Sequence, residues 1–267
     1  LALALADWGA ADPSTLTWLD PPPAGPFAAA VADLESIDAL KDAAITAHGR
    51  KLLGIAAPPR MAHMIVAAAA TGQGRLAALV AMLASERGLG GNGVDLRPRL
   101  TRLLGQKGSR AAAARALADR MAKAAGGGSS GRVDVEAAGE MLALAWPDRI
   151  AKARGAPGRF QMANGRQAFL DETDPLASAE WLVVADATGR AAEARITAAA
   201  PIDADAVLTV AGDAIESRRR VAFDAESQSV RVRIERRLVR LKLGAQPAAP
   251  TAEEAADGLV DVVRTHG

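Results

Sequence analysis

The sequence predicts an α+β chain of several domains, in which a winged-helix-like part and a helical bundle precede a small antiparallel β-barrel. Apolar residues recur with helical spacing as far as about residue 153. After Gly155 the apolar period changes to two, which is typical of strands. The chain has 267 residues, half of them hydrophobic and 24% charged, so it can bury the cores of two or three small domains.

The first predicted domain covers residues 1–66 and consists of short helices with proline-rich joints. Asp20-Pro21-Pro22-Pro23 ends one element, and Pro26 opens a helix whose apolar residues run to Ile37. A short strand or loop follows over 40–45. Thr46 can cap the next helix, which Pro58-Pro59 ends. Helices with a small strand element favour a winged-helix-like module.

The second predicted domain, residues 67–154, is a bundle of alanine-rich helices. Two apolar stripes lie at helical spacing, Leu76, Leu79, Val80, Leu83 and then Leu96, Leu100, Leu103, Leu104. The last helix of the bundle is predicted from about Val133 to Arg154.

The third predicted domain, residues 155–246, is a barrel of the oligonucleotide-binding type. Asn164-Gly165 predicts a type I′ hairpin turn, and 181–185 reads as a buried strand. In the run 230–243 the apolar residues move from even to odd positions. That slip predicts a β-bulge near Arg236-Arg237-Leu238, which would bend one long strand around the barrel. Residues 247–267 are predicted as a linker and the start of a final helix.

The composition excludes several kinds of chemistry. The chain has no Cys and three His without metal-ligand spacing, which argues against thiol, iron–sulfur and zinc sites. It lacks G-x-x-x-x-G-K-[ST], G-x-S-x-G and H-E-x-x-H, so no catalytic site can be named. Gly88 to Gly93 match G-x-G-x-x-G but follow a predicted helix, so we interpret them as a loop. His63 is interpreted as a packing or surface residue.

Basic residues are concentrated in the middle of the chain. Residues 1–42 hold seven acids and one base, whereas residues 43–133 hold fourteen bases and three acids. A localised basic segment indicates an anionic partner. Two interpretations of this segment have equal weight: contact with a phosphate backbone, and a helical face that is only solvated. A second basic run spans 218–242, where Arg219 is expected to share a sheet face with Arg231 and Arg233. With four Trp, four Phe and no Tyr, a stacking platform for bases is hard to build.

The candidate nucleic-acid-binding residues lie on the bundle and where bundle meets barrel. We expect the latter group to form a seam that grips a strand. The candidates are Arg97, Arg99, Arg102, Arg110, Arg149, Lys152, Arg154, Arg159 and Arg166.

Several short motifs, in order along nearly the whole chain, resemble HrpB-type bacterial ATP-dependent helicases, relatives of the DEAH-box RNA helicases. The motifs are Leu3-Ala4-Leu5-Ala6-Asp7-Trp8, Trp18-Leu19-Asp20-Pro21, Thr46-Ala47-His48-Gly49-Arg50, Pro59-Arg60-Met61-Ala62-His63-Met64, Leu83-Ala84-Ser85-Glu86-Arg87, Asp95-Leu96-Arg97-Pro98-Arg99-Leu100, Ala145-Trp146-Pro147-Asp148-Arg149-Ile150, Ala163-Asn164-Gly165-Arg166 and Trp181-Leu182-Val183-Val184-Ala185-Asp186.

The resemblance implies the region that follows the motor domains: a winged-helix domain, a helical ratchet bundle and an oligonucleotide-binding-fold-like domain. It implies that these form one wall of the channel for single-stranded RNA, or DNA, and couple ATP-driven motor closure to translocation. ATP and magnesium would bind the parent's motor domains, with no cofactor in this non-catalytic fragment. We further expect a soluble, cytoplasmic monomer without a membrane segment. The alternative is a protein-docking module whose basic faces bind an acidic partner.

Overall fold

The computed structural model describes residues 1–10, 12–128, 133–190, 193–224 and 229–254, without the side chains of Arg190 and Asp213. The helices are α1 (Ala2–Asp7), α2 (Ala24–Glu35), α3 (Ala47–Leu53), α4 (Pro59–Ala70), α5 (Gly74–Ser85), α6 (Leu96–Gly105), α7 (Ser109–Ala124), α8 (Ala138–Ala145) and α9 (Ala204–Val210). The strands are β1 (Leu40–Lys41), β2 (Ala44–Ile45), β3 (Ile150–Ala153), β4 (Arg159–Met162), β5 (Gln167–Phe169), β6 (Trp181–Arg190), β7 (Glu193–Pro201), β8 (Ile215–Asp224), β9 (Ser229–Leu238) and β10 (Leu241–Ala248).

The N-terminal part combines α1, α2 and α3 with the β1–β2 hairpin. The predicted cap of α3 is confirmed, because the Thr46 hydroxyl accepts a hydrogen bond from the Gly49 N–H at 2.9 Å. Gly49 is also required by packing, since a Cβ there would lie 2.2 Å from the Ala39 carbonyl oxygen. Helix α3 therefore packs directly against Ala39, the residue that precedes the β1–β2 hairpin.

Helices α4 to α8 form the bundle around α5. All four residues of the first predicted stripe, on α5, are buried, and Leu96, Leu100 and Leu103 of the second are buried on α6. The predicted helix from Val133 to Arg154 is wrong over its second half. It ends at Ala145, a 3-10 turn runs from Pro147 to Arg149, and strand β3 begins at Ile150. Pro147 lacks an N–H and cannot continue the helical bonding.

Arg60 on α4 joins separate parts of the chain. Its Nε donates to Asp33 Oδ1 on α2 at 2.7 Å, and one terminal nitrogen donates to the Ala145 carbonyl at the end of α8 at 2.9 Å. The same nitrogen lies 3.7 Å from Asp148 Oδ1, just before the barrel. One guanidinium thus contacts the N-terminal part, the bundle and the entry to the barrel.

A closed barrel of five strands follows, in the order β3-β4-β5-β7-β6. Its neighbours pair antiparallel except β5 and β7, which are parallel. On β6, Leu182 and Val184 point into the barrel, whereas Trp181, Val183 and Ala185 join the core shared with the helices. Burial on both faces explains why this strand is a continuous apolar run.

Strands β8, β9 and β10 form a separate antiparallel sheet, so the expectation that they complete the barrel is wrong. The bulge predicted within one continuous strand near Arg236-Arg237-Leu238 is also wrong, because the chain reverses after Leu238; a register shift occurs instead on β10 between Lys242 and Gly244, opposite Arg236 and Arg237. Leu238 pairs with Leu241 across a turn of two residues, Val239 and Arg240. A two-residue turn places residues 238 and 241 on the same face, which moves the apolar residues from even to odd positions as a bulge would.

The hairpin predicted at Asn164-Gly165 joins β4 to β5, but its turn is not of type I′. That type requires a positive φ at both central residues, and Asn164 is not among the positive-φ residues of the described chain. The Gly165 N–H instead donates to the Met162 carbonyl, and Gly165 has a φ of +89°. This is the three-residue loop that ends in a left-handed glycine.

One core cluster runs through the chain from Ala2 to Leu241, and a second fills the barrel. α8 lies close to the barrel, since a Cβ on Gly139 would be 2.0 Å from the Pro201 carbonyl oxygen. Within the described ranges, we find no helix with the length and apolar character needed to span a membrane. The proposed domain limits 1–66, 67–154, 155–246 and 247–267 stay predictions.

Candidate nucleic-acid interface

Three turns meet where the bundle, the barrel and the three-stranded sheet come together. The Asn164 N–H donates to the Asp148 carbonyl at 2.9 Å, which fixes the β4–β5 turn against the 3-10 turn. The Arg240 N–H donates to the Ala163 carbonyl at 3.0 Å, which fixes the β9–β10 turn against the β4–β5 turn. The turns carry Arg149, Arg166 and Arg240, and we call these three residues the arginine junction.

Arg149 is the half-buried member of the arginine junction, and its position is fixed. One terminal nitrogen donates to the Ala185 carbonyl on β6 at 2.9 Å, and the guanidinium lies 4.9 Å from the centroid of the Trp146 ring. Burial lowers the pKa of Arg149 most strongly; the charges of Asp148 and Asp186 raise it, whereas the charges of Arg60 and Arg166 lower it. Carboxylates and cations therefore both lie close to this guanidinium.

Arg166 and Arg240 are exposed and complete the arginine junction. Asn164 Oδ1 accepts the Arg166 N–H at 3.0 Å, so the turn itself orients the residue. A Cβ on Gly165 would lie 2.6 Å from Arg240 Cδ, so the glycine leaves room for that side chain. Arg240 belongs to the second basic run of the sequence, but its place beside Arg166 was not predicted because it depends on the unrecognised turn at 239–240.

The predicted seam of Arg149, Lys152, Arg154, Arg159 and Arg166 divides into two groups. Arg149 and Arg166 lie at one end of β3, and Arg154 follows its other end, roughly 15 Å away at about 3.3 Å per extended residue. The single cluster expected from the sequence is therefore wrong. The strand that carries these residues runs along the barrel and separates its two ends.

The second group has local partners. Lys152 Nζ lies 4.7 Å from the Trp181 ring centroid and 3.7 Å from Glu180, and Arg159 pairs with Glu193 at 2.8 Å. Arg154 donates to Gln161 Oε1 at 2.5 Å. Arg154 and Arg159 border a groove of about 590 Å³ on the barrel. These cations remain partly exposed, but carboxylates already neutralise two of them.

The bundle candidates Arg97, Arg102 and Arg110 lie at or near the surface. Arg97 pairs with Asp95 and Glu136, each at 2.7 Å, and the bond to Asp95 raises its pKa. Arg102 donates to the Gly90 carbonyl at 3.3 Å, and the exposed Arg110 donates to the Arg87 carbonyl at 3.1 Å. Their guanidiniums are held against the segment 86–95, and Arg97 has two acids beside it.

Arg99 contradicts the expectation that it contacts a strand, because it is only 5% exposed. Its guanidinium donates to the carbonyls of Leu83 at 3.1 Å and Leu89 at 3.2 Å, and more weakly to Glu86 at 3.5 Å. Burial lowers the pKa of Arg99. It ties the end of α5 to the glycine-rich segment, which is a loop as predicted. A Cβ on Gly90 would lie 2.3 Å from the Arg99 carbonyl oxygen.

The second basic run is arranged differently from the prediction. Arg219 pairs with Ile234, so it lies on the opposite sheet face from Arg231 and Arg233. Arg220 takes the expected place, directly opposite Arg233. Arg219 binds Glu254 at 2.7 Å, and that bond lowers the pKa of Glu254 to about 2.

His63 packs, as predicted, in a half-buried pair with His48. The His48 Nε2 and His63 Nδ1 atoms are 2.9 Å apart, and the rings are nearly perpendicular. Burial and the neighbouring His48 lower the pKa of His63 to about 4. Among the described residues no three His, Cys, Asp or Glu side chains are grouped so that they could hold a metal ion.

No protein-family model matches the chain. A curated relative, the ATP-dependent RNA helicase HrpB of Escherichia coli strain K12, is 29% identical over 270 residues, covering 100% of this chain and 32% of the relative.

Two solved structures are similar over 100% of this chain. A crystal structure of the E. coli DExH-box NTPase HrpB gives a TM-score of 0.79 at 28% identity and is covered over 32% of its length. A crystal structure of the Escherichia coli DEAH/RHA helicase HrpB gives a TM-score of 0.76 at 26% identity and is covered over 33%. The chain spans about a third of the relatives it matches, and the predicted resemblance to HrpB-type helicases is confirmed along its whole length.

Proposed function

We propose that this chain is an accessory region of an ATP-dependent RNA helicase of the HrpB type and forms part of the wall of its single-strand channel. The observation that carries the proposal is the arginine junction, where three cations meet beside the barrel in a chain similar to HrpB throughout. In this proposal the N-terminal part is a winged-helix domain and α4–α8 are the ratchet bundle.

The strand order supports an oligonucleotide-binding fold for the barrel. Five strands close in the order first, second, third, fifth, fourth, and the third and fifth strands are parallel. Barrels of this type have five strands in a Greek-key arrangement and bind oligonucleotides on one face and through adjacent loops. The β4–β5 turn, which carries Arg166, joins the second and third strands, and these strands form the binding face in barrels of this type.

The chemistry of the arginine junction suits phosphates better than bases. Guanidinium groups bind phosphate oxygens in a bidentate geometry, and such contacts hold a strand without reading its sequence. Trp146 and Trp181 are buried, and Arg149 and Lys152 lie over their rings. These two indoles are therefore not offered to bases. Binding that tolerates any sequence fits an enzyme that moves along RNA.

The motor function belongs to the rest of the parent in this proposal. ATP and Mg²⁺ would be held by the motor domains, because this sequence has no G-x-x-x-x-G-K-[ST] motif. Motion of the motor domains would tighten and release the grip of the accessory wall on the strand. The parent's motor domains are thus the protein partner of this chain, and single-stranded RNA is its ligand.

The test is fluorescence anisotropy of a labelled mixed-sequence single-stranded RNA with this chain across a salt series. The Arg166→Gln/Arg240→Gln variant should bind at least about tenfold more weakly at low salt, and the slope of log affinity against log salt should flatten by about 1.4, or about 0.7 per lost phosphate contact. Arg159→Gln is the matched control, because that barrel arginine is exposed and already pairs with Glu193.

The proposal would be contradicted if the double variant bound RNA as tightly as the wild type. It would also be contradicted if the double variant lost no more affinity than Arg159→Gln does. RNA binding absent from this chain and from the full-length parent would also contradict it, and would favour an acidic protein partner for these basic faces. The same titration with single-stranded DNA decides between the two nucleic acids.

A further inference from the structure

The three-stranded sheet β8–β10 presents one strongly cationic face, which lies outside the barrel. Alternation along the strands places the following residues on this face: Glu216, Arg218, Arg220 and Asp224 of β8; Arg231, Arg233, Glu235 and Arg237 of β9; and Lys242 of β10. Six cations therefore accompany three acids. We call this the cationic face.

The opposite face of the same sheet contributes residues to the hydrophobic core. Leu238 and Leu241 are buried in the large core cluster, and Val232 is buried as well. Arg219, on that opposite face, is bound by Glu254. Part of the opposite face is therefore covered, whereas Arg220, Arg233 and Lys242 on the cationic face are exposed.

Two of the four charged cross-strand pairs on the cationic face place like charges directly opposite one another, whereas Glu216 opposite Arg237 and Arg218 opposite Glu235 are of opposite charge. Arg220 is paired with Arg233, and Arg237 is paired with Lys242. Side chains opposite each other in an antiparallel sheet have their Cβ atoms only about 4.5–5.5 Å apart, where like charges are destabilising. A purely solvated face would gain from alternating signs, as at Arg218 opposite Glu235.

The nearby carboxylates only partly offset this repulsion. Glu235 is shared, since it accepts from Lys242 at 2.8 Å and lies 3.8 Å from Arg220. Both cations lower the pKa of Glu235, the bond from Lys242 most strongly. Within the described ranges Arg233 forms no ion pair, so an anion placed between Arg220 and Arg233 would be bound by both.

We infer that the cationic face is a second binding surface for the phosphodiester backbone of a nucleic acid, in addition to the arginine junction. Arg220 and Arg233 are its centre, and Arg237 with Lys242 extends it toward the β9–β10 turn. The turn ends at Arg240, which belongs to the arginine junction. A strand leaving the junction would therefore meet further cations on the neighbouring sheet.

The experiment compares Arg220→Gln/Arg233→Gln with Arg236→Gln in the 267-residue chain. Arg236 is an exposed arginine of the same strand, but it pairs with Ser217 on the opposite face, so it is the matched control. Each variant is titrated with single-stranded RNA and with duplex RNA of the same sequence across a salt series, and its melting temperature is measured.

The double variant should bind at least about fivefold more weakly at low salt, with a salt slope lower by about 1.4 on single strands, because two phosphate contacts are lost. Its melting temperature should be equal to or above that of the wild type, because a like-charge pair has been removed. The arm with the larger loss identifies the form of RNA that this surface binds. Arg236→Gln should change affinity less than twofold.

Unchanged RNA affinity in the double variant, or an equal loss in Arg236→Gln, would overturn the inference. So would binding of polyglutamate that depends on Arg220 and Arg233 while RNA binding does not. These outcomes are separate from those of the proposed function, because Arg166→Gln/Arg240→Gln reports on the arginine junction and leaves the cationic face intact.

Discussion

Replacing Arg99 by methionine should destabilise the fold without altering RNA affinity. The guanidinium donates to the Leu83 carbonyl at 3.1 Å and to the Leu89 carbonyl at 3.2 Å. Hydrogen bonds of a charged group contribute about 1.5–3 kcal/mol each, so about 3–6 kcal/mol is lost. Methionine avoids burying a charge, which offsets part of that loss. We expect a net destabilisation of about 2–4 kcal/mol.

Thermal unfolding followed by circular dichroism measures this effect. At about 2–4 °C per kcal/mol for a chain of this size, the melting temperature should fall by roughly 5–15 °C. Arg102→Met is the control, because its exposed side chain makes one long bond to the Gly90 carbonyl and should cost less than about 1 kcal/mol. RNA titration at 10 °C then tests the folded variant.

A melting temperature for Arg99→Met within about 2 °C of the wild type would refute the assignment of Arg99 to the core of the fold. So would a loss of RNA affinity in the folded variant larger than that in Arg102→Met. Either result would favour the expectation from the sequence alone, in which Arg99 is a surface residue that contacts the strand.

Two further predictions concern the His48–His63 pair and the β9–β10 turn. The pKa of His63 is lowered to about 4, so only the unfolded chain gains a proton as pH falls below about 6.5. The melting temperature should therefore fall between pH 6.5 and pH 4, and His63→Asn should flatten that decline; an equally steep decline would contradict this. Val239 has a φ of +53°, which costs a non-glycine residue about 1–2 kcal/mol. Val239→Gly should raise the urea midpoint by a net stabilisation of about 0.5–1 kcal/mol after the entropy of glycine is included; a lower midpoint would show that the turn is unstrained.

Periodicity predicted the elements whose signal is local and repeated. The stripe from Leu76 to Leu83 is buried along α5, and the run from Trp181 is a strand buried on both faces. The cap at Thr46 followed from one side chain and its neighbour. In these cases the sequence carries the same geometric information as the structure.

At Arg99 the helical spacing and the charge of the side chain indicate opposite surroundings. Leu96, Arg99, Leu100 and Leu103 follow the spacing i, i+3, i+4, i+7 of a buried helical stripe. The position predicted burial, but the charge suggested solvent. The carbonyls that neutralise the cost of burial come from the end of α5 and from the following loop, and no local pattern reveals that approach.

The turn at Val239-Arg240 could not be recognised because it contains no Gly, Asn, Asp or Pro. A phase slip without such a residue is equally compatible with a bulge in one strand and a turn between two. The distinction decides whether three strands join the barrel or form a sheet of their own. Both Arg240 in the arginine junction and the cationic face depend on it.

The contacts of Arg60 have a mechanical consequence. Because one guanidinium contacts α2, the end of α8 and the turn before β3, it couples the positions of these three segments. Gly139 also brings α8 close to the Pro201 carbonyl on β7, which gives this helix a second contact with the barrel. A displacement of the N-terminal helices would therefore be passed through α4 and α8 to the strand that opens the barrel, and with it to the turns that carry the arginine junction.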